Sequence, residues 1–276
     1  MVTTSNHNTN TISKALSIQI NLSGLSFCVL NCDTNTILHL ETVNFSETKN
    51  PETLLDAIKT VFNTYPALDD TFKDITIIHQ NPWQTLVPKA LFNKEYITDY
   101  LKFNTKILAG DFVDFDTIPL IEAHTVYVPF TNINNYIFEQ FGSFVYKHSA
   151  TLILEHLAKT EKNNTSDAVY VNIEALSFDI IIFKKGTLQL FNSFEYSNDQ
   201  DFIYYILFTF EQLLLNPETT KTYLTGRILE QDSLYKIAYT YIRHISIYKD
   251  KRSFNFGETP KSPQYYFNLL NSLSCE

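Results

Sequence analysis

Apolar and polar residues alternate through Leu16-Ser17-Ile18-Gln19-Ile20, a period of two that puts one face of a strand in a core. Two further β-rich runs, 25–30 and 36–45, follow after turn chemistry at Ser23-Gly24 and at Asp33-Thr34-Asn35. The period then becomes helical. Asn50-Pro51-Glu52 supplies a cap and a first-turn proline, and Leu54, Leu55, Ile58, Val61 and Phe62 fall on one face. Residues 74–79 predict a fourth strand and 88–103 a second helix. Beyond them 112–130 is rich in strand formers, 134–141 has helical spacing, and Ser149 is placed to cap a helix running to Lys159.

Residues 161–167 contain no apolar side chain, and after them the opening pattern restarts. Residues 168–173, 176–184 and 187–196 predict three strands, with Lys185-Gly186 as a hairpin turn. Residues 199–215 predict a long helix, apolar nearly all round and therefore expected between layers. Asn216-Pro217 ends it, and 220–225, 233–241, 244–248 and 263–273 continue as strand, helix, strand and helix. Asn21 and Asn172, like Leu25 and Leu176, lie 151 positions apart, and the order of elements repeats around them. The expected organisation is a disordered tail at 1–15, a first half at 16–160, a linker at 161–167 and a second half at 168–276 ending in a helix.

Composition narrows the function. With 44% hydrophobic residues in 276, the chain has enough apolar surface for a large core. Its net charge of −9 argues against a nucleic-acid binder, which needs a basic surface for phosphates. No run of 18 apolar residues is present, so no membrane span is expected, and a cytoplasmic location follows. Cys28, Cys32 and Cys275 are too few and too scattered for a disulfide framework or a four-ligand zinc site. Only 6 glycines are available, which leaves little material for loops that let a backbone approach phosphates.

The first turn reads Asn21-Leu22-Ser23-Gly24-Leu25-Ser26 and the second Asn172-Ile173-Glu174-Ala175-Leu176-Ser177-Phe178-Asp179, while Leu224-Thr225-Gly226-Arg227 ends a later strand. A duplicated β-β-β-α-β-α unit with chemistry at the first turn of each copy resembles the actin-like ATPase superfamily, and the chain is similar to a bacterial domain-of-unknown-function family with that fold. The resemblance implies an α/β protein of two ribonuclease H-like halves, mixed sheets flanked by helices. In that superfamily the turns read roughly Asp-x-Gly-Thr and Asp-x-Gly-Gly-Gly-Thr-x-Asp, and a Gly-Gly strand end contacts adenosine. The resemblance therefore implies nucleotide-site positions at Asn21, Ser23, Gly24, Ser26, Asn172, Glu174, Ser177, Asp179, Gly226 and Arg227.

The departures weigh against catalysis. Both loop-opening carboxylates read as Asn21 and Asn172, which carry no charge for Mg²⁺. Glu174, Ala175 and Leu176 stand where bare backbone is expected, and Glu174 would set a negative charge beside a triphosphate. The expectation is a non-catalytic binding or scaffold module with no catalytic residue, no cofactor and no metal, whose partner is another protein or a second copy. The alternative is a divergent ATP-dependent kinase or ATPase using ATP and Mg²⁺ in the interdomain cleft. There Asp179 would organise metal or act as base, and Arg227 would steady a phosphate or stack on a base.

Other groupings read as structural. Cys28, Cys32 and His39 match no zinc spacing, and His148 and His156 are too far apart to share an ion. Asp111, Asp114 and Asp116 read as a solvated loop, and Lys249, Lys251 and Arg252 as a solvated turn. Trp83 and Tyr265-Tyr266-Phe267 are core residues by default and interface anchors otherwise.

Overall fold

A computed structural model describes residues 12–103, 105, 107, 110–251, 254–256, 260 and 262–273. The first half opens with β1 (Lys14–Asn21), β2 (Gly24–Asn31) and β3 (Thr36–Asn44), followed by α1 (Pro51–Thr64) and β4 (Asp74–His79). The alternation in β1 does what it predicts: Leu16, Ile18 and Ile20 are buried against Leu54, Ile58 and Phe62 of α1. Asn50 caps α1, its side chain accepting the Thr53 N–H while Thr53 returns the bond. Lys14 and Ala15, assigned to the tail by sequence, belong to β1, where they pair with Asn31 and Leu30. Of the rest of that tail, Ile12 and Ser13 are described, the Ser13 carbonyl accepting the Cys32 N–H, and 1–11 lies outside the described residues.

An unforeseen third sheet comes next, made of β5 (Gln84–Pro88), β6 (Asp114–Ile118) and β7 (Ala123–Tyr127) in the order β5-β7-β6. Residues 88–103 do not form the expected helix; they make short 3₁₀ turns at Lys89–Leu91 and Lys94–Tyr100. Phe92 explains why. Its ring stacks on His124 at 4.2 Å and packs on Phe115 at 4.7 Å, and the Tyr100 hydroxyl ties back to Leu91 and Asn93. Packing on the small sheet outweighs a weak helical period.

The first half closes with α2 (Thr131–Phe141), β8 (Val145–His148) and α3 (Ser149–Glu161). The N-cap of α3 is His148 instead of Ser149: its Nδ1 accepts the Ala150 N–H, and Ser149 is the first helical residue. Glu161, read as linker, ends α3 and is buried, accepting from Tyr170 and Asn164.

The second half runs β9 (Ala168–Ile173), β10 (Ser177–Lys184), β11 (Thr187–Glu195), α4 (Asp199–Gln212), β12 (Lys221–Gly226), α5 (Ser233–Tyr241) and β13 (His244–Ile247). Its sheet order, β11-β10-β9-β12-β13, repeats β3-β2-β1-β4-β8 of the first sheet, antiparallel across the hairpins and parallel beyond. The chain's end, placed by sequence in the second half, returns to the first. There β14 (Asn255–Phe256) pairs with β3, and α6 (Phe267–Ser272), entered through a 3₁₀ turn at Pro263–Tyr266, packs Leu269 and Leu270 against Ala15, Cys28 and Ile78.

The long helix enclosed between layers is α3, with the short α6 beside it, Phe267 packing on the second-sheet cluster and Leu269 on the first. Leu152 of α3 packs in the first-sheet cluster, and Ile153, Leu154 and Leu157 pack on Tyr170, Ile181 and Phe183 of the second. In α4, assigned that place by sequence, Phe202, Ile206 and Phe210 face the second sheet while Tyr204 and Phe208 face outward, exposed. No described helix is long and apolar enough to cross a membrane.

The duplication is in the backbone, but in a different register from the one the shared asparagines imply. Ile20 O accepts the Gln80 N–H just beyond β4, and Ile173 O accepts the Arg227 N–H just beyond β12. The last pair of the first hairpin is Asn21 with Gly24, and in the second the Glu174 N–H reaches Ser177 O. The two opening hairpins therefore superpose at 153 positions apart. Glu174, and not Asn172, is the counterpart of Asn21, and Arg227 is the counterpart of Gln80.

Candidate functional site

The two hairpin turns line one cavity of about 770 Å³, closed on a third side by β5 and by the first residues of α3. Of the positions taken from sequence, Asn21, Ser23, Glu174, Ser177, Asp179 and Arg227 line it. Gly24 and Ser26 line an adjoining cavity of about 100 Å³, shared with Asn21, Glu174 and Arg227. Asn172 and Gly226 do not reach the larger cavity. Asn172 is buried behind Asp179, and Gly226 sits at φ +78° so close to β9 that a Cβ would lie 2.3 Å from Ile173 O.

In the first turn the Asn21 side chain folds over its own loop. Oδ1 accepts the Ser23 N–H at 2.9 Å and the Ser23 hydroxyl at 3.0 Å, and Nδ2 donates to Gln80 Oε1 at 3.0 Å. Gly24 is needed for β3: a Cβ there would lie 2.6 Å from Val43 O. Ser26 bonds Thr42 at 3.0 Å on the neighbouring strand.

The second turn is held by Tyr196, whose hydroxyl donates to Glu174 O at 2.8 Å. Glu174 lines the cavity, and its carboxylate accepts a hydrogen bond from Gln80, which lines it too. Burial pushes the Glu174 carboxyl up to about 7, and the charge of Asp179 adds to the rise, while the hydrogen bond from Gln80 and the charge of Arg227 oppose it. Asp179 is also raised by burial, offset by Ser193 Oγ donating at 2.6 Å and Asn172 Nδ2 at 3.2 Å. The Arg227 guanidinium donates to Asn44 Oδ1 at 2.8 Å. Gln84 of β5 reaches Ser193 of β11 at 3.4 Å.

Gln80, Asn44, Ser193 and Tyr196 were not found by sequence reasoning. Gln80 was within reach, since it follows the fourth strand of its half as Arg227 does. The other three are ordinary strand-end residues until the sheets come together.

Other groupings resolve structurally. Cys28 is buried in β2 and free, its thiol pushed up to about 12 by burial. His39 pairs with Val29, on the opposite face of the sheet from Cys28. Cys32 is disulfide-bonded, which the count of three scattered cysteines did not foresee. Cys275 and Arg252 lie outside the described residues, and Lys249 and Lys251 are exposed. Asp114 and Asp116 are strand residues, not a solvated loop. Asp114 accepts the Tyr146 hydroxyl at 2.5 Å, and Asp116, pushed up to about 6 by burial, accepts the His148 N–H and the Thr151 hydroxyl at the start of α3. His148 Nε2 lies 3.1 Å from Asn81 O, and burial holds its pKa down to about 3; His156 lies 2.9 Å from the Tyr248 hydroxyl. Trp83 packs on Phe130 in the first core, and Phe267 is buried against His156. Among the described residues no group of three or more His, Cys, Asp or Glu could hold a metal ion.

A family model described as protein of unknown function (DUF3822) matches residues 3–245, and the chain belongs to that family. A comparison with curated proteins returned no match. Among solved structures, a Bacteroides thetaiotaomicron protein with an actin-like ATPase fold and unknown function is 21% identical. The match covers 99% of this chain and 100% of that one at a TM-score of 0.76. The PilM-PilN type IV pilus biogenesis complex matches over 93% of this chain and 96% of that one, at 13% identity and a TM-score of 0.57. The chain has an actin-like ATPase fold, with mixed α/β sheets flanked by helices.

Proposed function

We propose that this member of the DUF3822 family is a binding or scaffold module whose cleft does not hydrolyse nucleotide. The observation that carries this is Glu174, an acid that lines the cleft beside Asp179 with its pKa raised by burial. A magnesium–triphosphate group does not fit these residues. Polyphosphate would meet three acids, Glu174, Asp179 and Glu195, the Ser23 amide is already satisfied by Asn21, and Arg227 is engaged by Asn44. The PilM-PilN complex supports the reading as a protein of this fold held in a protein assembly. The partner is another protein or a second copy of this chain.

Thermal denaturation with ATP or ADP, with and without Mg²⁺, tests it. No rise in midpoint is expected, because only a ligand of the native state stabilises it. A Mg²⁺-dependent rise that disappears in Asp179→Ala overturns the reading.

One observation favours the alternative, a divergent ATPase or kinase. The backbone register makes Glu174 the counterpart of Asn21, so the second turn opens on a carboxylate after all, in the place where the superfamily has its second acid. In this alternative Glu174 and Asp179 would hold the ion, and the same denaturation series discriminates.

A further inference from the structure

We infer that the cavity between the two hairpin turns binds a cationic group, an ammonium or a guanidinium on an aliphatic stem, seated between the carboxylates of Glu174 and Asp179. The inference rests on the proposed reading that nucleotide does not occupy the cleft.

The cavity, about 770 Å³, is of the size that takes a ligand. Its charge has the wrong sign for phosphate and the right one for an amine. Glu174, Asp179 and the exposed Glu195 line it, and Arg227, the basic side chain there, is turned to Asn44 of the other half. Two carboxylates offer about eight lone-pair positions. Three side-chain donors reach them: Gln80 to Glu174, and Ser193 and Asn172 to Asp179. Acceptor capacity remains that a group with several N–H donors would use. Burial holds both Glu174 and Asp179 above the usual carboxylate range, and the neighbouring Asp179 charge adds to the rise at Glu174.

The walls fit the stem. Leu22, Leu86, Leu176 and Phe191 line the same cavity, and Leu176, at the tip of the second turn, is 67% exposed. An alkyl chain lies on such a surface while its charged end reaches the acids. This chemistry is met by a free polyamine or by a Lys or Arg side chain of a protein segment.

Titration calorimetry on the full chain at pH 8 separates these sources. The probes are spermidine, acetyl-Gly-Lys-Gly-amide, its norleucine counterpart, MgCl₂ alone, and MgATP. Saturable binding of spermidine or of the lysyl peptide is expected, the first marking a free amine and the second a partner segment. The norleucine peptide is expected not to bind, and Glu174→Gln is expected to weaken binding at least about tenfold. Binding of wild type is also expected to be weaker at pH 6, where Glu174 holds a proton that a cation must displace. The charged groups acting on it are Asp179 and Arg227, with the Tyr196 hydroxyl, and Glu195 lines the same cavity; His148, with its depressed pKa, stays neutral at both pH values. The wild-type pH comparison stands even if the variant misfolds. Absence of binding by both amines, equal binding of the norleucine peptide, unchanged affinity in folded Glu174→Gln, or saturation by MgCl₂ alone each overturns the inference. MgATP binding overturns the reading it rests on; with MgATP silent, failure of the amines overturns the cation site alone.

Discussion

The Arg227 guanidinium donates a 2.8 Å hydrogen bond to Asn44 Oδ1, joining residues 183 positions apart and tying the end of β12 to the end of β3. Gln80 with Glu174 and Gln84 with Ser193 add two more ties between the halves. Arg227→Ala is expected to cost about 1–2 kcal/mol in urea denaturation, the worth of a hydrogen bond from a charged donor. It is also expected to raise the Glu174 pKa, because Arg227 lowers it. Lysine should restore the charge effect on Glu174 but not the hydrogen bond. Carboxyl titration by NMR and denaturation read the two effects separately.

Gly226 and Gly142 share φ +78°, but only Gly226 meets backbone where a side chain would begin, at 2.3 Å from Ile173 O. Gly142→Ala is expected to cost about 1–3 kcal/mol, the strain of its positive-φ backbone alone. Gly226→Ala should cost at least about 2 kcal/mol more, since β9 and β12 must separate to admit the methyl group. Equal losses in urea denaturation would show that the close approach of these strands is not rigid.

Glu174 and Asp116 have folded-state pKa values of about 7 and about 6, above their usual 4.5 and 3.8. Folding therefore favours their protonated forms. That contribution is fully present below about pH 4 and is lost as pH rises through 6 to 7. Glu174→Gln removes the Glu174 part. It is expected to stabilise the protein by up to about 3 kcal/mol at pH 8 relative to wild type, with little difference at pH 4. Denaturation midpoints of both proteins across that range check the sign.

The enclosed position of α3 has a direct test. Leu157, 1% exposed, packs against the second sheet, whereas Phe208 of α4 is 45% exposed. Leu157→Ala is expected to cost about 3 kcal/mol through the cavity it leaves. Phe208→Ala should cost less than about 1 kcal/mol despite removing a larger side chain. The reverse order would return α4 to the central layer.

Much of the fold was legible in the chain because strands and helices are written in local periods. The alternation of Leu16, Ile18 and Ile20, the Asn50-Pro51 cap and the Lys185-Gly186 turn each depend on neighbours a few residues away. The repeated order of elements was legible for the same reason, and with it the architecture. Register was not. A shared Asn21 and Asn172 pointed to an offset of 151, whereas the hydrogen bonds at Ile20 and Ile173 set it at 153, because strand partners decide register and they lie far along the chain. The same limit hid the third sheet, which depends on Phe92 stacking on His124, and misplaced the buried helix. Apolar composition told how hydrophobic α4 is, but only the packing of two sheets decided that α3 lies between them. Sequence alone determined which residues the two hairpin turns contain. Tertiary structure decided that Glu174, Asp179 and Arg227 share one cavity and that Asn44 engages the arginine, because electrostatic partnership depends on distance in space and not along the chain.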